Sequence, residues 1–382
     1  MIYRLLDRRR LVAVVTLALL AGCTVIPKKA VAPPPPPQTG PSALPQDAAR
    51  HRVALLVPLT GPNAAMGQSI ANAATMAILD TNAQNLRVTN YDTGTDPAAA
   101  ASRAIADGNG LILGPLMADE IGPVATAARA AKVPVISFSN DRSAAGRDVF
   151  IMGTVPDQSI ARTIGWASAH GVRSYAALVP RGDYGERASA ALIDAAKTSG
   201  GTVVAMEPYD RGNTSAGSAA HRLSVKGGFD AVMVLDGGRI ARLAAPMFRT
   251  GGGGPRLLGT ELWSGDGSLL ATPALRGAWF AALPDARFGQ FSTSYKTRFG
   301  TQPYRLATIG YDAMLLTLRA AREWPNGAPF PMHMLVDPKG FLGLDGPFRF
   351  SRSGVVERAF EVREVRAAGV TVVSPAPERF GE

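Results

Sequence analysis

Few side chains in this 382-residue chain are of a type and spacing that perform chemistry. Cys23 carries the single thiol, so no internal disulfide can form. The histidines His51, His170, His221 and His333 stand singly and read as surface or loop residues rather than as ligands or bases. No G-x-S-x-G elbow, G-x-x-x-x-G-K-[ST] phosphate loop or H-E-x-x-H zinc helix occurs. Gly108-Asn109-Gly110 leads into a strand, not a helix, so it cannot cradle a dinucleotide. The run Gly251 to Gly254 has no lysine after it to hold phosphate. Asp92 and Asp96 lack the spacing of a calcium loop. Trp263 and Trp279 read as core residues. The expectation is a protein that is not an enzyme and holds no metal and no cofactor.

The position of Cys23 is informative. Arg4, Arg8, Arg9 and Arg10 precede the apolar run Leu11 to Leu20, and Leu20-Ala21-Gly22-Cys23 closes it. This is the order of a secretory signal. The run is too short for a bilayer core, which takes roughly 20 residues. A cysteine directly after the small residues resembles the lipobox of bacterial lipoproteins. That resemblance implies a signal peptide over 1–22, a lipid on Cys23, and a protein held at a membrane surface in the periplasm. Thr24 is not the aspartate that retains lipoproteins at the inner membrane, so the resemblance implies the outer membrane. Thr24 to Arg50 then reads as a tether, because Pro33 to Pro37 are consecutive and favour extended polyproline II. Removing residues 1–22 takes four arginines and Asp7 from 40 basic and 30 acidic side chains, leaving a net charge of about +7. Such a surplus suits acidic envelope partners. No basic block with interleaved aromatics points to nucleic acid.

The elements that must position any site begin at Arg52. Val53–Val57 is an apolar run suited to a buried parallel strand. Met66–Leu79 carries the stripe Ile70, Ala73, Ala74, Ala77 and Ile78 of a helix. Strands are expected at 87–91, 111–113 and 133–136, with helices between them. Asp96-Pro97 is an N-cap with proline at the first helical position. A second cycle follows, with helices at 159–170, 185–199, 215–224 and 239–249 and strands at 175–179, 202–206, 231–235, 257–258 and 278–283. Helices at 288–299 and 306–322 come next. Gly346–Phe350 and Ala359–Val365 are expected to pair as antiparallel strands about a Ser353-Gly354 turn. The alternation argues for βαβ units and mostly parallel sheets. A folded part above 300 residues exceeds one core, so the fold class is α/β with two lobes.

Several segments together resemble the leucine-type periplasmic binding proteins. They are Val57-Pro58-Leu59-Thr60-Gly61-Pro62 with Gly67, Ile112-Leu113-Gly114-Pro115-Leu116, Val133-Pro134-Val135-Ile136-Ser137, Gly182-Asp183-Tyr184-Gly185, Gly310-Tyr311-Asp312-Ala313, and Phe341-Leu342-Gly343 through Phe350. The resemblance implies two lobes joined by three crossings, here near Val155, Pro284 and Pro331. Lobe one would be 51–155 plus 284–331, and lobe two 156–283 plus 332–375. A ligand would lie between them, with candidate contacts Thr60, Gly61, Ala118, Ser137, Ser139, Asn140, Asp141, Tyr184, Asp236 and Glu261.

The chain departs from the amino-acid-binding relatives at this cleft. They carry a hydroxyl after Gly-Pro-Leu and a threonine in the loop after the Val-Pro-Val-Ile strand. Ala118 and Asp141 stand here, and Met66 replaces an aromatic. An ionised Asp141 about 4 Å from a ligand carboxylate would repel it by about 4 kcal/mol at an effective dielectric near 20. Gly259-Thr260-Glu261-Leu262-Trp263 and Leu275-Arg276-Gly277-Ala278-Trp279-Phe280 resemble the penicillin-binding-protein activators, lipoproteins of the same fold. That likeness implies a regulator docking on a peptidoglycan synthase. The alternative is the substrate-binding receptor of an ABC transporter for an amino acid or other small solute, which a lipid tether suits equally.

Overall fold

A computed structural model describes residues 50–212, 214–249 and 253–380. The signal segment, Cys23 and the tether up to Ala49 lie outside the described residues, as do Gly251 and Gly252 of the glycine run.

The first sheet is built from β1 (His51–Val57), β2 (Leu86–Asp92), β3 (Leu111–Leu113), β4 (Val135–Ser137) and β5 (Val149–Ile151) in the order β2-β1-β3-β4-β5. Every pairing is parallel. The connections are α1 (Ala64–Thr81), α2 (Pro97–Ala106) and α3 (Ala118–Ala130). Burial on both faces explains the unbroken apolar run in β1: Val53, Leu55 and Val57 face α1, while Ala54 and Leu56 face α2 and α3. Asp96 caps α2 by accepting from the Ala99 N–H at 2.9 Å, with Pro97 at the first helical position. Gly114 follows β3 at φ +95°, and a Cβ there would fall 1.9 Å from the Leu56 carbonyl oxygen, so only glycine fits.

The second sheet continues from α4 (Pro156–Ala169) with β6 (Ser174–Pro180), α5 (Asp183–Thr198), β7 (Thr202–Tyr209), α6 (Ser215–Lys226), β8 (Ala231–Val234), α7 (Gly238–Phe248), β9 (Arg256–Gly259) and β10 (Trp279–Ala282). The chain then returns to the first lobe through α8 (Phe288–Phe299) and α9 (Thr308–Ala320), which pack on α1. A small antiparallel sheet of β11 (Phe341–Gly343), β12 (Gly346–Phe350) and β13 (Val356–Arg358) follows. The last strands, β14 (Glu361–Arg366) and β15 (Gly369–Ser374), extend the second sheet in the order β15-β14-β10-β9-β8-β6-β7. The protein is thus a two-lobed α/β fold with mostly parallel sheets flanked by helices.

Two expectations are corrected. Gly346–Phe350 pairs with Val356–Arg358, not with 359–365, because the turn at Ser351–Gly354 is too tight to reach further. The segment 359–365 instead becomes β14 against β10. The third crossing therefore lies at Ala359–Phe360 rather than near Pro331. Leu335, Phe341, Phe348, Phe350 and Val356 join the first lobe's core with Ile309, Ala313 and Leu316. Residues 332–358 belong with lobe one for that reason. The stretch 332–356 alternates apolar residues that need a partner layer, and α9 supplies it.

His51 departs from a surface reading as well. It is buried in β1 and stacks on Trp324, with ring centroids 4.3 Å apart. Burial lowers its pKa.

Candidate functional site

A cavity of about 430 Å³ opens between the lobes, within the usual size range of small-molecule sites. Lobe one lines it with Met66, Leu116, Met117, Phe138, Ser139 and Asn140, and lobe two with Glu261, Leu262 and Ser264. Its floor takes a residue from each of the three crossing regions: Thr154, Leu283 and Arg358. The short segment before α9 adds Arg305 and Leu306, and α9 itself adds Thr308 and Ile309. Asp345, in the turn between β11 and β12, completes the wall.

The expected contacts divide between this wall and the scaffold behind it. Ser139, Asn140 and Glu261 line the cavity. Ser137 lies beneath, donating to the Pro115 carbonyl at 3.0 Å and accepting from the Ser139 N–H at 3.1 Å. Ala118 is the first residue of α3, and its neighbour Met117 reaches the cavity in its place. Thr60 and Gly61 sit outside the cavity lining. Thr60 donates to Asp92 at 2.7 Å, and the backbone N–H of Leu59 donates to the same carboxylate at 2.7 Å. Burial opposes the Asp92 charge, but these bonds and the Gly94 N–H pull its pKa below the usual range. Their work is to clip the loop after β1 onto β2.

Asp141 is also turned away from the cavity. Its carboxylate accepts from the Ser143 N–H at 3.0 Å and the Ser143 hydroxyl at 2.7 Å, and lies 3.7 Å from the Arg187 guanidinium of α5. The repulsion that its sequence position suggested is spent on a counter-ion across the lobes. Arg187 also donates to Asn140 at 3.3 Å, and Arg142 pairs with Asp157 of α4, so two arginines bridge the lobes on one side.

Glu261 stands in the short helical turn Glu261–Trp263 after β9. Ser159 donates to one of its oxygens, and Tyr184 donates to the other at 3.4 Å. Burial raises the Glu261 pKa, and the hydroxyl of Ser159 only partly offsets it. Tyr184 touches the site through Glu261, and burial next to that carboxylate pushes its phenol well up. Asp236 lies behind the wall, accepting from the Tyr209 hydroxyl and from Arg211 at 2.8 Å. It holds the loops after β7 and β8 together rather than facing the cavity.

Sequence reading missed the charged floor. Arg305 donates to Asp345 at 2.6 Å, and Thr308 donates to the same carboxylate at 2.7 Å. Behind them, Asp312 on α9 is fully buried and accepts from the Leu344 N–H at 2.7 Å. Gly343 allows this contact, since a Cβ there would fall 2.3 Å from the Asp312 carboxyl. Burial, reinforced by Asp345, raises the Asp312 pKa to about 7. Arg358 is only 7 % exposed and donates to the Met152 carbonyl at 2.8 Å. The signals were present but faint. Asp312 interrupts the apolar stripe Ile309, Ala313 and Leu316 of α9, and Arg358 shares the inward face of β13 with Val356. A charge on a buried face requires a partner or a purpose.

Comparisons with known proteins agree with this geometry. An uncharacterized protein of Rickettsia prowazekii (strain Madrid E) is 29% identical over 140 residues, 36% of this chain and 37% of that protein. The match thus spans little more than a third of that relative's length. The crystal structure of a putative branched-chain amino acid ABC transporter from Rhodospirillum rubrum superposes with a TM-score of 0.74 at 21% identity, covering 85% of this chain and all of that one. A solute-binding protein of an ABC transporter from R. palustris, in complex with benzoate, gives 0.65 at 18% identity, covering 86% of this chain and 97% of that chain. The family described as periplasmic binding protein matches residues 51–369, nearly all of the described fold, and the chain belongs to that family.

Proposed function

We propose that this protein is the solute-binding receptor of a transport system and takes a small, largely apolar molecule between its lobes. The observation that carries the reading is the cavity of about 430 Å³, walled by both lobes and floored by all three crossing regions. Family membership and the transporter-linked structures of the same fold support it. The reading that the sequence favoured, a regulator of a peptidoglycan synthase with the receptor as its alternative, rested on likeness to the penicillin-binding-protein activators, on the lipobox and on a cleft that had lost its grip on amino acids. A cavity of ligand size with several polar groups favours the receptor instead.

Thermal unfolding against a panel of small acids and amino acids tests this. A bound solute adds about 2.7 kcal/mol at 100 times its Kd. A rise in Tm that scales with solute concentration supports the receptor. A chain that no small solute stabilises, yet that retains a peptidoglycan synthase in a pull-down, would overturn it.

The reading includes a lipid on Cys23 that holds the receptor at the periplasmic face of a membrane, with the outer membrane the expected one. Among the described residues no helix is long and apolar enough to cross a membrane, so attachment would rest on that lipid. Cys23→Ser is expected to move the protein from the membrane pellet to the soluble fraction. Continued sedimentation of the variant with membranes would rule the anchor out.

A further inference from the structure

Two helices on the outer side of lobe two make a surface that neither the cavity nor the crossings use. α6 and α7 are neighbours: Leu243 of α7 reaches Gly217 of α6, where a Cβ would lie 3.8 Å from its side chain. Each helix spends one stripe on the core, centred on Ala220 and Leu223 in α6 and on Ile240 and Phe248 in α7. The stripes turned away from the core set Lys226 and Arg239 in solvent beside aliphatic side chains. Val225 is 74 % exposed, Leu243 48 % and Met247 40 %. Leu243 and Met247 stand one turn apart on α7 and so share a face.

The charge of this surface has one sign. Neither helix contains an aspartate or a glutamate. Between Arg211 and Arg249 the acids are Asp230 and Asp236, and both are engaged. Asp230 accepts from the backbone N–H groups of Arg173 and Ser174, each at 2.9 Å. Asp236 is buried against Tyr209 and Arg211. Among the described residues Arg222 is paired with Glu207 at 2.8 Å, while Lys226, Arg239 and Arg242 have no ion pair. The opposite face of the same sheet is covered by α4 and α5, which carry Asp157, Asp183, Glu186 and Asp194. The acid-free surface is therefore a local arrangement and not a reflection of the chain's net charge.

Cations interleaved with exposed aliphatic side chains fit an interface that offers anions above hydrocarbon. Two other occupants are disfavoured on the same grounds. A second copy would set like charge against like charge. The segment 24–49 carries Lys28 and Lys29 against the single acid Asp47, so it offers no complement. The outward stripes also lack the aromatic anchors that dominate protein interfaces.

We infer that the outer face of α6 and α7 docks on an anionic lipid bilayer, with Lys226, Arg239 and Arg242 against the phosphates and Val225, Leu243 and Met247 at the acyl boundary. The inference goes beyond the receptor reading and needs neither a bound solute nor a lipid on Cys23. Such an attraction is screened by salt and does not replace a covalent lipid. The Cys23→Ser chain is therefore still expected to leave membranes washed in high salt.

Sedimentation of the Cys23→Ser chain with vesicles tests the inference, since that chain carries no lipid. Binding to mixed phosphatidylglycerol and phosphatidylcholine vesicles is expected to exceed binding to phosphatidylcholine alone by on the order of 10–100-fold at low ionic strength. It is expected to fall steeply with added salt. Lys226→Gln with Arg239→Gln is expected to weaken it by on the order of 10–30-fold. Arg103→Gln with Arg322→Gln removes the same charge from exposed positions on lobe one and is expected to leave it nearly unchanged. The Cys23→Ser chain has no thiol, so Met247→Cys and Leu79→Cys each carry a single environment-sensitive dye, one on this face and one on lobe one. Anionic vesicles are expected to blue-shift the dye at position 247 and not the dye at position 79. The Tm of each variant is measured alongside, and the dye pair reads docking with every cation in place should a charge variant fail to fold. The inference is overturned if neutral vesicles bind as well, if the lobe-one control loses as much as the α6–α7 variant, or if the two dyes respond alike. A dimer that shields position 247 would overturn it too, by giving the face to a second copy.

Discussion

Asp312→Asn is expected to flatten the pH dependence of stability between pH 4 and 7 and to leave the variant more stable than the native protein at pH 8. Asp312 titrates near 3.8 in an unfolded chain and near 7 in the fold, because burial and then Asp345 penalise its charge. A raised carboxyl pKa means that the fold holds a proton which the unfolded chain has already released. Its favourable contribution is complete below pH 3.8 and is lost as pH rises to about 7. A shift of that size corresponds to at most about 4 kcal/mol. Asparagine keeps an acceptor for the Leu344 N–H and removes the titration. Urea unfolding at pH 4, 6 and 8 reads the effect. Glu120 and Glu261, also raised by burial, leave a smaller slope in the variant. Parallel profiles for the two proteins would show that Asp312 ionises freely in the fold.

The second large effect is expected at Trp263. Its indole is fully buried, lies 5.6 Å from the Phe280 ring, and donates to the Asp236 carbonyl at 2.9 Å. The backbone of Gly259 approaches it so closely that a Cβ would fall 2.3 Å away. Trp263→Ala opens a cavity and orphans that carbonyl, so a loss of about 3–5 kcal/mol is expected. Trp263→Phe keeps most of the packing and is expected to lose roughly half as much. The flanking residues Glu261, Leu262 and Ser264 line the ligand cavity, so ligand affinity falls in the alanine variant as well. Denaturant midpoints and titration of each variant measure both effects. A loss below about 1 kcal/mol would mean that the turn does not depend on this anchor.

The parts of the fold that read well from sequence are those with long, regular burial. The run Val53–Val57, the stripe of α1 and the cap at Asp96 each carry their own signal, and the two-lobed α/β class follows from their alternation. The terminal region read poorly. Whether 346–350 meets 356–358 or 359–365 depends on which layer lies beneath, and a one-dimensional pattern does not contain the packing of α9. The cavity was legible where it is built from loops after strands, as at Ser139, Asn140 and Glu261. It was not legible where it is built from returning chain. Arg305, Asp345 and Arg358 come together only because the third crossing lies at Ala359–Phe360. Asp141 shows the converse limit, since its loop position gave no hint that Arg187 from the other lobe would draw it aside.

Thr154, Leu283 and Arg358 lie in the regions that link the two halves, and they also face the space where cargo would rest. On the receptor reading proposed above, the same three residues would bear both on what the cavity admits and on how the two halves are joined. A substitution at the floor would then act on both properties at once, whereas one on the loop-borne side of the chamber would act on the first alone.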